Sequence, residues 1–152
     1  MTDAQTAVQP VHKTMVVNCS PERAFEVFTR EIGSWWPLDK YSIGETEIVE
    51  VVFEEQVDGR VFERHADGSE ADWGKVLSWD PPASFSMSWS PGSDPAKPTD
   101  LKVSFAAEGD GTRVDLVHTG WEILAERGQE SRNGYDNGWV GVLEEYTRYV
   151  NG

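Results

Sequence analysis

The side chains that could move a proton or hold a metal in this sequence are few. The three histidines, His12, His65 and His118, show no ligand spacing with one another. Asp67 and Asp72 lie near His65 along the chain, but a metal centre needs ligands that converge in space, and these spacings do not supply that. There is no CxxC, HExxH, GxSxG or phosphate-loop motif. We therefore expect no metal, no cofactor and no identifiable catalytic residue. His118 is the most informative polar side chain, because it follows Val114 and Leu116 on one alternating face. It is either a polar anchor or acid–base group in an apolar cavity, or a buried histidine paired with neighbouring groups. The second alternative is favoured, since most buried polar groups are paired. A catalytic version would use His118 with Tyr135 or Tyr41 as proton handlers, but no base–orienter pair is visible.

Aromatic residues are the other resource. The chain has 7 tryptophans in 152 residues, a high usage. Large rigid rings build cores, and they also wall cavities without collapsing into them. Trp73, Trp89 and Trp139 are candidates for such a wall, with Met87 beside Trp89 and Leu143 beside Trp139. Trp73, Leu77 and Trp79 are expected on one strand face. In GRVFER the register is open: with Phe62 inward, Arg60 or Arg64 could reach an acidic ligand group. With Val61 and Glu63 inward, the arginines are solvated. In GSWWP, Trp36 is expected inward at a cavity rim. Trp35 is expected on the outer side of the first helix or half exposed, with the opposite assignment as the alternative.

These residues must be positioned by regular elements. HKTMVVN (12–18) reads as a strand. Ser20-Pro21 is a helix start, with serine as N-cap and proline in the first turn. Ala24, Phe25, Val27, Phe28 and Ile32 share one arc of that helix, opposite Glu22, Arg23, Glu26 and Arg30. Gly33 is expected to end it. Six strands follow, near 45–55, 59–65, 71–80, 83–90, 99–107 and 112–119. Asp-Gly pairs at 58–59, 67–68 and 110–111 mark hairpin turns. SFSMSWS alternates most clearly, with Phe85, Met87 and Trp89 on one side; Leu101, Val103 and Phe105 repeat the pattern. The proline-rich segment 90–99 is a long loop. From Tyr135, Trp139, Val142, Leu143, Tyr146, Tyr149 and Val150 form one helical arc. Gly134, Gly138 and Gly141 line its edge, which implies close backbone approach, open space, or a helix that starts only near Asp136. One antiparallel sheet with an apolar face, covered by this helix, is the simplest assembly.

The bulk numbers narrow the partners. With 27 acidic and 13 basic residues the formal charge is −14, which argues against nucleic acid and anionic membranes. No apolar run approaches the ~20 residues of a membrane span. The N-terminal segment lacks the features of a signal peptide. Cys19, the single cysteine, fits a reducing cytoplasm.

The stretches SPERAFEVFT, IGSWWP, VDGRVFERHADGSEADWGKVLSWDPP, SFSMSW, DGTRVDLVHTGW and NGWVGVLEEY together resemble the START-like (SRPBCC) superfamily. Within it they are similar to the branch of homologues of the activator of the heat-shock-protein ATPase. The resemblance spans nearly the whole chain from Val11. It implies an α+β helix-grip fold: a curved antiparallel sheet of about seven strands around a long C-terminal helix, with short helices after the first strand. Residues 11–152 would then form a single domain behind a flexible tail, 1–10. The resemblance also implies a deep apolar cavity between sheet and helix, but no particular reaction, because one fold hosts many functions. The expected function is binding of a small hydrophobic, aromatic or acyl molecule. One alternative is a chaperone co-regulator or protein-interaction module, with Trp35, Trp36 and the 90–99 loop as an exposed patch. Another is an aromatase- or cyclase-like enzyme. A monomer or homodimer is expected.

Overall fold

A computed structural model describes residues 9–36, 48–90 and 98–151. Tyr41, segment 91–97 and residues 1–8 of the expected tail lie outside the described residues. Strand β1 (Val11–Val17) leads into helix α1 (Pro21–Thr29) and a short second helix, α2 (Ile32–Trp35). Strands β2 (Ile48–Phe53), β3 (Arg60–His65), β4 (Glu70–Asp80), β5 (Ser84–Trp89), β6 (Thr99–Glu108) and β7 (Gly111–Thr119) follow. A 3-10 segment (Trp121–Arg127) then joins the long helix α3 (Gly128–Asn151). The strands form one curled antiparallel sheet in the order β1-β7-β6-β5-β4-β3-β2, and α3 covers its apolar face. This is the helix-grip arrangement.

Local chemistry explains the boundaries. The Ser20 hydroxyl accepts the Arg23 N–H at 3.2 Å and caps α1. Gly33 does not end α1, contrary to expectation. The helix stops at Thr29, and Gly33 lies inside α2, where a Cβ would come 3.3 Å from the Val51 nitrogen. A glycine there lets α2 approach β2 closely. The Asp-Gly pairs do mark the hairpins, but in two of them the left-handed residue precedes the expected glycine: Asp58 at φ 71°, directly before Gly59, and Gly109 at φ 58°, two residues before Gly111. Helix α3 begins seven residues before Tyr135, and Gly134 is helical with open space beside it.

Strict alternation fails in β4. Its pairing with β3 jumps between Val61↔Gly74 and Phe62↔Asp72, and its pairing with β5 jumps between Val76↔Met87 and Ser78↔Ser86. Each irregularity shifts the phase of the strand. Trp73 and Val76 therefore face the core, whereas Leu77 is exposed, in contrast to the shared face expected for Trp73, Leu77 and Trp79.

Candidate functional site

The inner face carries two aromatic groups. One is phenylalanine-rich: Phe25, Phe28, Phe53, Phe85 and Phe105 meet edge to face or tilted, joined by Trp79. The other is made of tryptophans. Trp36, directly after α2, lies 4.7 Å from Trp73, 6.0 Å from Trp89 and 5.9 Å from Trp139, centroid to centroid. Trp35 bridges the two groups, with its ring against Phe28 and Tyr146 and its N–H on the Val27 carbonyl at 2.8 Å. Both members of the doublet are thus buried, Trp36 inward as expected and Trp35 also in the core rather than outside α1. The doublet provides no exposed docking patch.

His118 sits at the edge of the tryptophan group with every polar ring atom engaged. Its Nδ1 accepts the Trp139 indole N–H at 3.1 Å. Its Nε2 lies 2.7 Å from the Thr99 hydroxyl, which donates its only proton to the Trp89 carbonyl at 3.0 Å. Thr99 can therefore only accept from His118, and the network assigns the neutral Nε2–H tautomer. Burial depresses the His118 pKa to about 3. The Trp121 ring lies 4.2 Å away and its N–H holds the His118 carbonyl at 3.0 Å. His118 is the paired alternative: it orients Trp139 and, through Thr99, the end of β5.

Tyr135 packs its ring 5.0 Å from His118 and 5.5 Å from Trp121. Burial pushes its hydroxyl pKa up, and the Trp89 N–H, directed at the hydroxyl oxygen, offsets this in part. The Trp89 N–H nevertheless makes no hydrogen bond of normal geometry. Among the described residues, it and the Trp36 N–H are buried without a hydrogen-bond partner. A buried donor left unpaired costs ~1–3 kcal/mol, so two of them in one cluster, on rings 6.0 Å apart, mark a place suited to an acceptor atom.

A second polar group adjoins this wall, and sequence reasoning missed it. The Trp73 indole N–H donates to Glu63 Oε1 at 2.9 Å, and His65 Nε2 lies 2.8 Å from Glu63 Oε2. Glu63 is fully buried and His65 is 4% exposed. The available signal was their spacing: residues two apart on a strand share a face. Among the described residues, no cluster of three or more His, Cys, Asp or Glu side chains is placed to hold a metal.

The same register settles Phe62. With Val61, Glu63 and His65 inward, Phe62 belongs to the opposite face, beneath the Arg60 guanidinium at 4.0 Å and Arg64 at 5.4 Å. Those arginines pair outward with Glu50, Glu70 and Asp72. Phe62 is therefore separated from the tryptophan wall. Met87 lies on the inner face of β5. Leu143 is buried under α3 and also borders an open groove with Lys13, Met15 and Val140.

Comparison with known proteins places this architecture. The sequence model of the family described as "Activator of Hsp90 ATPase homolog 1-like protein" matches residues 18–151. No curated protein matches the sequence. Among solved structures, an anthrahydroquino-γ-pyrone synthase, Txn09, solved in complex with a ligand, is 31% identical. The match covers 94% of this chain and 97% of that one, with a TM-score of 0.65. The Aha1 dimer from Colwellia psychrerythraea is 14% identical over 95% of this chain and 97% of that one, with a TM-score of 0.67. Protein BH1534 of Bacillus halodurans is 18% identical over 95% and 99%, at 0.68.

Proposed function

Because the chain belongs to the family of Activator of Hsp90 ATPase homolog 1-like proteins, a branch of the START-like superfamily, we propose that it binds a planar aromatic molecule bearing carbonyl or hydroxyl oxygens. The observation that carries this reading is the pair of buried indole N–H groups of Trp36 and Trp89, which lack a hydrogen-bond partner among the described residues. The four tryptophan rings, buried against one another, are of the kind that stacks on flat aromatic molecules. Each N–H donor can hold an oxygen of the ligand. Trp73, Trp139 and Tyr135 complete the wall, Met87 and Leu143 belong to the same buried core, and His118 holds Trp139 in place. Tyr41 is included in the candidate ligand set, and Phe62 is left out of it by its position. The likeness to Txn09, described as an anthrahydroquino-γ-pyrone synthase, is in keeping with such a ligand.

The test is a tryptophan-fluorescence titration with alizarin, a planar hydroxyanthraquinone. Saturable quenching is expected for the native protein. Trp36→Phe keeps the ring and removes the donor, and it should weaken binding by several-fold to about tenfold, the worth of one hydrogen bond. Absence of saturable quenching in the native protein would overturn the reading.

A chaperone co-regulator is the second reading, carried by the family description and the Aha1 relative. Any surface it uses does not include Trp35 or Trp36, which are buried. A homodimer is in keeping with the Aha1 dimer. No helix among the described residues is long and apolar enough to cross a membrane. A cytoplasmic location is proposed from the single cysteine, Cys19.

A further inference from the structure

We propose that the Tyr135 hydroxyl marks an oxygen subsite of the tryptophan wall: in the free protein it stands at the Trp89 N–H, and a carbonyl or phenolic oxygen of the bound molecule replaces it there as the first turns of α3 move aside; this rests on the ligand-binding reading above.

The ring of Tyr135 packs among the groups that fix this corner of the wall. It meets His118 at 5.0 Å and Trp121 at 5.5 Å. His118 in turn lies 6.1 Å from both Trp89 and Trp139. The Tyr135 hydroxyl oxygen is the atom toward which the Trp89 N–H is directed. The two nevertheless fall short of hydrogen-bond geometry, and each is tethered to its own element. Trp89 is fixed on β5 by its pairing with Thr99 and by the Thr99 hydroxyl on its carbonyl at 3.0 Å. Tyr135 is carried by α3. A misaligned contact of this kind is weak, whereas a bound molecule can orient its oxygen along the N–H. The Trp89 donor therefore gains by the exchange.

All four tryptophans of the wall are buried, so a ligand reaches them only if an element moves. The first turns of α3 are the part least committed to the core. None of residues 129–138 is buried, whereas Trp139, Val142, Leu143 and Tyr146 beyond them are. The Tyr146 hydroxyl also donates to the Ala24 carbonyl at 2.9 Å, which holds the second half of the helix. The first half is tied to β1 and the residues before it by Lys13 on Asp136 at 2.9 Å and by Arg132 on the Gln9 and Pro10 carbonyls at 3.1 and 3.2 Å. Solvent-accessible links of this kind contribute little. A Cβ on Gly134 would meet nothing within 4 Å, so packing does not demand glycine there. Gly134 and Gly138 instead make the stretch easier to unwind. Few buried side chains and accessible tethers mark a segment that opens locally. Withdrawing Tyr135 with it uncovers the Trp89 N–H.

Tyr135→Phe keeps the ring and removes the oxygen. The test follows indole N–H signals of 15N-labelled native and Tyr135→Phe protein during titration with alizarin, with Trp89 assigned by Trp89→Phe. In the free proteins the Trp89 proton lies upfield in Tyr135→Phe, because its neighbouring oxygen is gone. At saturation the two Trp89 signals coincide, because the ligand oxygen occupies the same place in both. Alizarin binds Tyr135→Phe about two- to threefold more tightly, since no hydroxyl has to leave. A Trp89 difference that persists at saturation, equal Trp89 signals in the free proteins, or weaker binding by Tyr135→Phe would overturn the subsite and leave the ligand-binding reading standing. If the native protein shows no saturable binding, the ligand-binding reading fails and the subsite fails with it. Circular dichroism checks each variant. Should Tyr135→Phe not fold, Gly134→Ala decides: it favours the closed helix, and alizarin association in stopped-flow fluorescence slows by about threefold or more. An unchanged rate would then overturn the proposal.

Discussion

A single hydroxyl proton decides the state of the most deeply placed histidine. Thr99 gives that proton to the Trp89 carbonyl, so His118 must donate from Nε2 and accept Trp139 at Nδ1. Protonating His118 would set two donors against each other at Nδ1, and burial already holds its pKa near 3. An unfolded histidine titrates near 6.5. Between those two values the unfolded chain binds a proton that the native chain does not. The resulting stability is fully present above about pH 6.5 and falls as the pH drops toward 3. The slope from this group is at most about 1.4 kcal/mol per pH unit. Urea unfolding at pH 7 and pH 4.5 should show a smaller acid loss for His118→Gln than for the native protein; an identical loss would remove His118 as a cause. The inward direction of His118 was legible in RVDLVH, because alternation is strict there. Its partners were not, since Thr99 and Trp139 lie 19 and 21 residues away and meet it only through the fold. The Glu63–His65 pair was hidden for another reason: the register of GRVFER left both faces open until β2 and β4 fixed it.

At the scale of elements, strand β4 determines where the tryptophan wall stands. Strands β5, β6 and β7 follow their alternation, so their inward residues could be read directly. Strand β4 carries two phase shifts, and the sequence shows them only as Gly74. A Cβ on Gly74 would lie 1.8 Å from the Ser88 carbonyl oxygen. Only a residue without a side chain lets β5 pass this close beside Trp73. Gly74→Ala should push the strands apart and destabilise the protein by at least the ~1–3 kcal/mol typical of overpacking, read as a lowered Tm in calorimetry. It should also weaken alizarin binding by moving Trp73 relative to Trp89. An unchanged Tm would contradict this account of the irregularity. The α1–α2 break was similarly opaque. Gly33 suggested a helix end, whereas its role is close contact with Val51, a long-range fact that helix-stop rules cannot contain.

For the whole molecule, two aromatic groups share one sheet but differ in chemistry. The phenylalanine group has no polar atoms apart from the indole of Trp79, and its rings pair edge to face, as in an ordinary core. The tryptophan group carries indole donors, two of them without a partner among the described residues, and a carboxylate–imidazole pair behind one ring. Family-level patterns along the chain were enough to anticipate the helix-grip architecture, and strand alternation and the helical arc were enough for the inward faces of Trp89 and Trp139. They could not separate a packing cluster from a binding wall, because that distinction depends on which N–H groups find partners. The most direct measurement is therefore the set of tryptophan indole N–H signals in a 15N-labelled sample during titration with alizarin, assigned by single Trp→Phe variants. The account predicts that the signals of Trp36 and Trp89 shift downfield and saturate together as their protons gain an acceptor. Those of Trp73, Trp121 and Trp139, already bonded to Glu63 and His118, should move less. Saturable binding that leaves the Trp36 and Trp89 signals in place would contradict it.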